Sequence, residues 1–160
     1  MKWVIVVALA VTAGVVGYFA IFRTHPAQAT VEKALAAIED GDMEAFMQYV
    51  DPEGQLGKMW DENLQGARDS ILDLLERYRI DLSSLSFATR AEGDAAEVEL
   101  KGGRVTVYER GSEGPPEAFF DLGDAGLVFY VEKKGGLWLI EGINYDIMEF
   151  LEGGSGFPLF

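Results

Sequence analysis

Residue types that can do chemistry are sparse in this chain. There is one histidine, His25, and no cysteine, which excludes disulfides, thiolate metal sites and a cysteine nucleophile. His25 stands beside Pro26, just past a long apolar run. It is expected to be a linker residue, outside any pocket formed by residues 60–140. Isomerase-like chemistry needs an acid kept neutral by burial and a hydroxyl donor beside it. Tyr49, Tyr78, Tyr108 and Tyr130 supply hydroxyls, and Asp61 or Asp69 are the acids that a pocket would recruit. The acids of the strand-like segments, Glu97, Glu99, Glu132 and Glu141, all fall on the parity expected to face outward. Asp40-Gly41-Asp42 and Asp121-Leu122-Gly123-Asp124 lack the ligand count of a calcium loop and read as a cap and a turn. Gly153-Gly154-Ser155-Gly156 has no lysine and opens no helix, so it is not a phosphate loop. No catalytic, metal or cofactor residue is expected, and the chain reads as a non-enzyme.

The elements that would position such residues are legible from periodicity. Thr30 is expected to cap a helix reaching about Glu39, with Val31, Ala34, Leu35 and Ile38 as its apolar stripe. Asp40-Gly41 ends it, and Asp42 caps a shorter helix carrying Met43, Phe46, Met47 and Val50. Asp51-Pro52-Glu53-Gly54 breaks that helix. A third is predicted from about Asp61 to Arg79, burying Leu64, Ala67, Ile71, Leu74, Leu75 and Tyr78. After Ile80 the period switches to two. Leu85–Thr89, Ala96–Leu100 and Val105–Val107 read as strands, with turns at Glu92-Gly93-Asp94 and Lys101-Gly102-Gly103. Residues 111–116 form a long loop and Glu117–Leu122 an edge strand. The strongest signal is Gly126–Asn144, where Leu127–Val131 and Leu137–Ile143 flank Lys133-Lys134-Gly135-Gly136. It predicts a hairpin at the middle of the sheet.

Ahead of this domain, Trp3–Phe22 is uninterruptedly apolar, and as a helix it would span about 30 Å, the thickness of a bilayer's hydrocarbon core. Ala27-Gln28-Ala29 also offers a signal-cleavage site before Thr30. The apolar run exceeds the roughly 7–15 residues of a signal, so an uncleaved single-pass anchor is expected. The short basic N-terminal tail favours a cytoplasmic N-terminus and an extracytoplasmic domain; secretion after cleavage is the alternative. The expected organisation is an anchor at 1–23, a linker at 24–29, an α+β domain at 30–151 and a flexible apolar tail at 152–160. Net charge is −14. With Lys2 and Arg23 at the anchor set aside, 11 basic side chains face 27 acidic ones. Such a surface repels phosphate backbones, so nucleic acid is not an expected partner.

Three helices, the second short and following Gly-Asp, then a meandering sheet ending in Gly-x-Trp-x-Ile, resemble the nuclear transport factor 2-like (cystatin-like) superfamily. The resemblance is to its small, membrane-tethered bacterial type. It rests on Val31–Ile38, on Glu39-Asp40-Gly41-Asp42 leading into Met43–Tyr49, on Gly93-Asp94-Ala95-Ala96-Glu97-Val98 and on Gly136-Leu137-Trp138-Leu139-Ile140, and it covers about residues 28–145. It implies helices packed on one face of a curved antiparallel sheet. Enzymatic members of the superfamily, such as ketosteroid isomerases, dehydratases and polyketide cyclases, work through a histidine or aspartate in the sheet–helix pocket. Others are tethered scaffolds in membrane assemblies.

Two functions follow. One is a non-catalytic, membrane-anchored extracytoplasmic interaction domain, an accessory subunit of a larger assembly. The alternative is a pocket protein that binds or transforms a small apolar molecule between sheet and helices. Trp138 and Ile140 are expected to point to the helices with Phe129, Val131, Val105, Val107 and Val98. Then Thr106, Tyr108, Val128, Tyr130, Leu137 and Leu139 face away, bordered by Glu97, Glu99, Glu132, Glu141, Arg104 and Arg110. An apolar centre ringed by charge reads as an interface for a protein partner or for self-association. Phe157 and Phe160 of the tail are its other candidates, either joining that interface or folding back over the sheet.

Overall fold

The computed structural model describes residues 24–63, 65–123 and 125–144. The expected anchor and the C-terminal tail lie outside them. Among the described residues no helix is long and apolar enough to cross a membrane.

Helix α1 spans Pro26–Asp40. It starts earlier than expected. Pro26 occupies its first turn, where a missing N–H costs nothing, so Pro26–Ala29 is helix rather than linker. The N-cap is His25, whose Nδ1 accepts the Ala27 N–H at 3.2 Å. Thr30, expected as the cap, lies inside the helix, and its hydroxyl is within 3.2 Å of the carbonyls of Pro26 and Trp138. Ala27, Val31, Ala34 and Ala37 form the buried stripe. Three alanines in four positions let the helix sit close on the sheet. Gly41, at φ 72°, closes α1, and the Asp42 carboxylate accepts the Ala45 N–H at 2.9 Å to start α2, Met43–Met47.

An unexpected short helix, α3, spans Gln55–Lys58, and a π turn covers Met59–Asn63. The third helix expected from about Asp61 to Arg79 is α4, Gln65–Arg77. Tyr78 already belongs to the sheet. On α4, Leu75 is buried but Leu74 is 47% exposed, so the two leucines do not share a core face as expected. Arg110, expected on the border of the sheet's outer face, lies instead at the end of α4. Its Nε donates to the Leu75 carbonyl at 2.9 Å, where a cation complements the helix dipole.

The sheet is antiparallel, with order β1-β2-β4-β5 and β3 joined to β2. β1 spans Tyr78–Glu92, β2 Ala95–Glu109, β3 Ala118–Asp121, β4 Val128–Lys134 and β5 Leu137–Ile143. β1 and β2 form one long hairpin. Lys101-Gly102-Gly103, expected as a turn, is instead an irregularity within β2. Phe87 pairs with Leu100 and Ser83 with Arg104, with register shifts between. Glycines inside a strand serve such bulges as readily as turns. Gly135 and Gly136 do make the expected turn, with φ of 58° and 86°. The hairpin they close is at the sheet's end, however, and β2 holds the middle. The outer edge of β5 is covered by the chain after α2: Ile140 N–H donates to Tyr49 O, and Asp51 N–H to Ile140 O, both at 2.8 Å. Sealing an edge in this way removes a template for unwanted pairing.

Ile140, Val31, Val98 and Val131 are the largest fully buried side chains. They pack with Phe129, Val50 and Leu56, and Trp138 and Phe87 lean on the cluster half-buried. Cross-strand pairs Val98–Phe129 and Ala96–Val131 put the expected residues on one face. Val105 and Val107, expected in the same core, are half-buried and stand outside the cluster. The irregularity at Lys101–Gly103 separates them from Val98.

Candidate functional site

The face of the sheet opposite α1 can be read row by row from the pairing. Arg90, Glu97 and Tyr130 stand side by side, followed by Gly142. The next row is Glu92, Ala95, Glu132 and Leu139. Ala95 leaves space between larger neighbours, whereas the position beside Gly142 is filled by the Gln55 side chain. A groove of ≈ 590 Å³ results, walled by Arg90, Glu92, Glu97, Tyr130, Glu132 and Glu141.

A charged cluster borders the groove. Asp51 is buried at the edge of β5; its Oδ1 accepts the Glu53 N–H at 3.0 Å, and its Oδ2 receives a hydrogen bond from Lys134 Nζ. That bond from Lys134 holds the Asp51 carboxyl below the usual carboxylate range, against the opposing effect of burial. The same bond raises Lys134 above its ordinary value. Lys134 Nζ also lies 3.5 Å from Glu132. Glu141 is pushed up, first by burial and then by the charge of Glu132.

Glu141, expected to face outward to solvent, is half-buried instead. Ile140 pairs with Val131 and Gly142 with Tyr130, so Glu141 is an extra residue in β5. A bulge of this kind re-aims a side chain, and simple alternation cannot anticipate it. Asp51, within a segment that reads as a helix breaker, is a paired, buried carboxylate. No signal for that role exists in its local sequence, because its partner is 83 residues away.

The other candidates are placed as follows. Tyr130 is 40% exposed and Leu137 66% exposed. Val128 and Leu139 are half-buried. Tyr108 is half-buried too, with the Arg79 guanidinium 4.7 Å from its ring centroid. Phe157 and Phe160 lie outside the described residues. Phe119 is an addition: it pairs with Thr106, is 66% exposed, and has Arg104 5.6 Å from its ring. Asp61 and Asp69 are exposed and do not serve as pocket acids. His25 is corrected from linker to packing residue, since its ring meets Trp138 edge-on with centroids 5.2 Å apart. Among the described residues no group of three or more histidine, aspartate or glutamate side chains is arranged to hold a metal ion.

Some solved structures are similar to this chain at low identity. A protein of unknown function with a cystatin-like fold from Nostoc punctiforme is similar at 15% identity and a TM-score of 0.47. The match covers 74% of this chain and 85% of that one. A nuclear transport factor 2-like protein of unknown function from Shewanella oneidensis is similar at 20% identity and a TM-score of 0.43, over 72% of this chain and 91% of that one. No family model matches the sequence, and no curated protein does. Likeness at this level carries no argument about function.

Proposed function

We propose that this chain is a non-catalytic, membrane-anchored interaction domain, held outside the cytoplasm by its N-terminal apolar segment and serving as an accessory subunit of a membrane assembly. The observation that carries the reading is the exposure of Leu137 and Tyr130 on the sheet face opposite α1. Leu137 stands next to the turn opposite Lys134, and Tyr130 lies on the same face beyond the Glu132–Leu139 row. Open apolar and aromatic side chains on one charge-bordered face fit a protein-contact surface. The pairing of Asp51 at the border of the groove favours binding over catalysis there. Asp51 is the buried carboxylate among the described residues, and the bond from Lys134 holds its carboxyl below the usual range.

The reading has two tests. The full-length protein should resist alkaline extraction from membranes and keep residues 1–29; a mature N-terminus at Thr30 would remove the anchor. In mildly solubilised membranes, Leu137→Glu and Tyr130→Glu should release co-purifying protein or dissolve a dimer, with melting unchanged. Retention of every partner by both variants would refute the interface.

A further inference from the structure

We infer that the groove beside Tyr130 receives a basic segment of a partner protein, with lysine or arginine side chains laid between Tyr130 and the surrounding glutamates. This rests on the interaction-domain reading and adds the chemical class of the partner.

Charge complementarity selects the occupant. Glu92, Glu97, Glu132 and Glu141 surround the groove. Of the basic groups nearby, Lys134 is already bonded to Asp51 and lies 3.5 Å from Glu132. Arg90 approaches Glu97 at 3.7 Å, but its side chain is largely exposed, and such a pair is weak and easily exchanged. The wall is therefore left with excess negative charge. Glu141 is raised first by burial and only then by the charge of Glu132, and an incoming cation would offset the second of these. Tyr130 adds a second attraction, because an aromatic face within about 6 Å of a guanidinium or ammonium attracts it. The volume of ≈ 590 Å³ lies within the roughly 300–1,000 Å³ of sites that hold a drug-sized ligand, which suits a few side chains of a peptide. Leu139 occupies the same row as Glu132 and Ala95, so the groove runs into the apolar part of the same face. A peptide can use both; a small free cation can use only the charge.

The test uses the full-length protein in a neutral detergent and a fluorescent, end-capped Arg-Gly-Arg-Gly-Arg peptide, read by anisotropy. Glu97→Gln with Glu132→Gln should weaken binding at least tenfold, and Tyr130→Leu about threefold or more. Asp69→Asn with Asp73→Asn on α4 removes the same charge elsewhere and should change affinity less than twofold. Circular dichroism should show all variants folded. Equal weakening by the two double variants would assign binding to diffuse charge and overturn the proposal. Spermidine competing as well as unlabelled peptide would give the groove to a small cation and also overturn it. A tenfold gain on deleting residues 153–160 would identify the tail as the occupant and would likewise overturn the basic partner. The underlying interface is read separately. Loss of co-purification with Leu137→Glu, but not with the Glu97/Glu132 variant, keeps the interface and overturns the basic partner. If Leu137→Glu releases nothing while the peptide shows the predicted site dependence, the groove stands and the wider interface falls.

Discussion

Replacing Ile140 with alanine tests the packing most directly. Ile140 has 0% exposure and sits in the core with Val31, Val50 and Val131. The change removes three buried carbons, about 2.4 kcal/mol at roughly 0.8 kcal/mol each. A residual void of roughly 50 Å³ would add about 1.2 kcal/mol. The expected loss is therefore about 3–4 kcal/mol, within the ~2–5 kcal/mol range for such truncations. Leu137→Ala, three residues earlier on the same strand, is the control. Leu137 is 66% exposed, and truncating it should shift stability by less than about 0.5 kcal/mol. Urea titrations followed by tryptophan fluorescence and circular dichroism would measure both, with unchanged slopes confirming that only stability moved. In thermal scans the Ile140 variant should melt roughly 10 °C lower and the Leu137 variant within about 2 °C of wild type. Similar losses at both positions would mean that β5 buries both faces, and the assignment of an open outer face would fail. A negligible loss at Ile140 would mean that α1 does not pack on this strand.

Gly57→Ala should destabilise by about 1–3 kcal/mol, because an added Cβ would lie 2.7 Å from Pro52 Cα, a backbone atom that cannot swing aside; an unchanged melting temperature would show that residues 51–57 pack differently. Asp51 has a folded pKa below its ordinary 3.8, so its stabilisation is present above about pH 4 and is lost as pH falls through the depressed value. Acid melts of Asp51→Asn should be flatter there than those of wild type, and identical profiles would count against the Lys134 bond. Glu141 is displaced upward from 4.5, so its ionisation opposes folding once pH exceeds the raised value, and the opposition vanishes below 4.5. Glu141→Gln should therefore raise the melting temperature at pH 7 and leave it little changed at pH 4; a fall at pH 7 would assign Glu141 a favourable charge contact. His25→Ala removes both the N-cap and the ring contact with Trp138 and should cost about 1 kcal/mol or more, measured by the same urea titration; an unchanged midpoint would show that neither contributes.

The elements themselves were legible in the sequence wherever a local rule governs them. Alternation marked Val98, Phe129, Val131 and Ile140 as one face because a strand's side chains must alternate and water must be excluded from one side. Gly135-Gly136 marked its turn because both residues need positive φ. Gly41 and Asp42 marked a helix end and a helix start through backbone groups that lie within a few residues of them.

What escaped the sequence depends on partners far along the chain. Gly102-Gly103 has the composition of a turn, and only its pairing with β1 across Ser83 and Ser86 decided that it is an irregularity inside one strand. Thr30 has the chemistry of a cap, yet His25 caps the helix with its ring against Trp138, 113 positions away. Alternation placed Glu141 outward, but the bulge opposite Tyr130 and Val131 turned it into a half-buried group beside Glu132. Asp51 carried the local signature of a helix breaker and became the buried anchor for Lys134 at the sheet edge. Local propensity counts backbone groups within a turn or two. The pairing of charges and the closing of sheet edges are set by which distant segments meet, and so the groove and its charge cluster exist only in the tertiary structure.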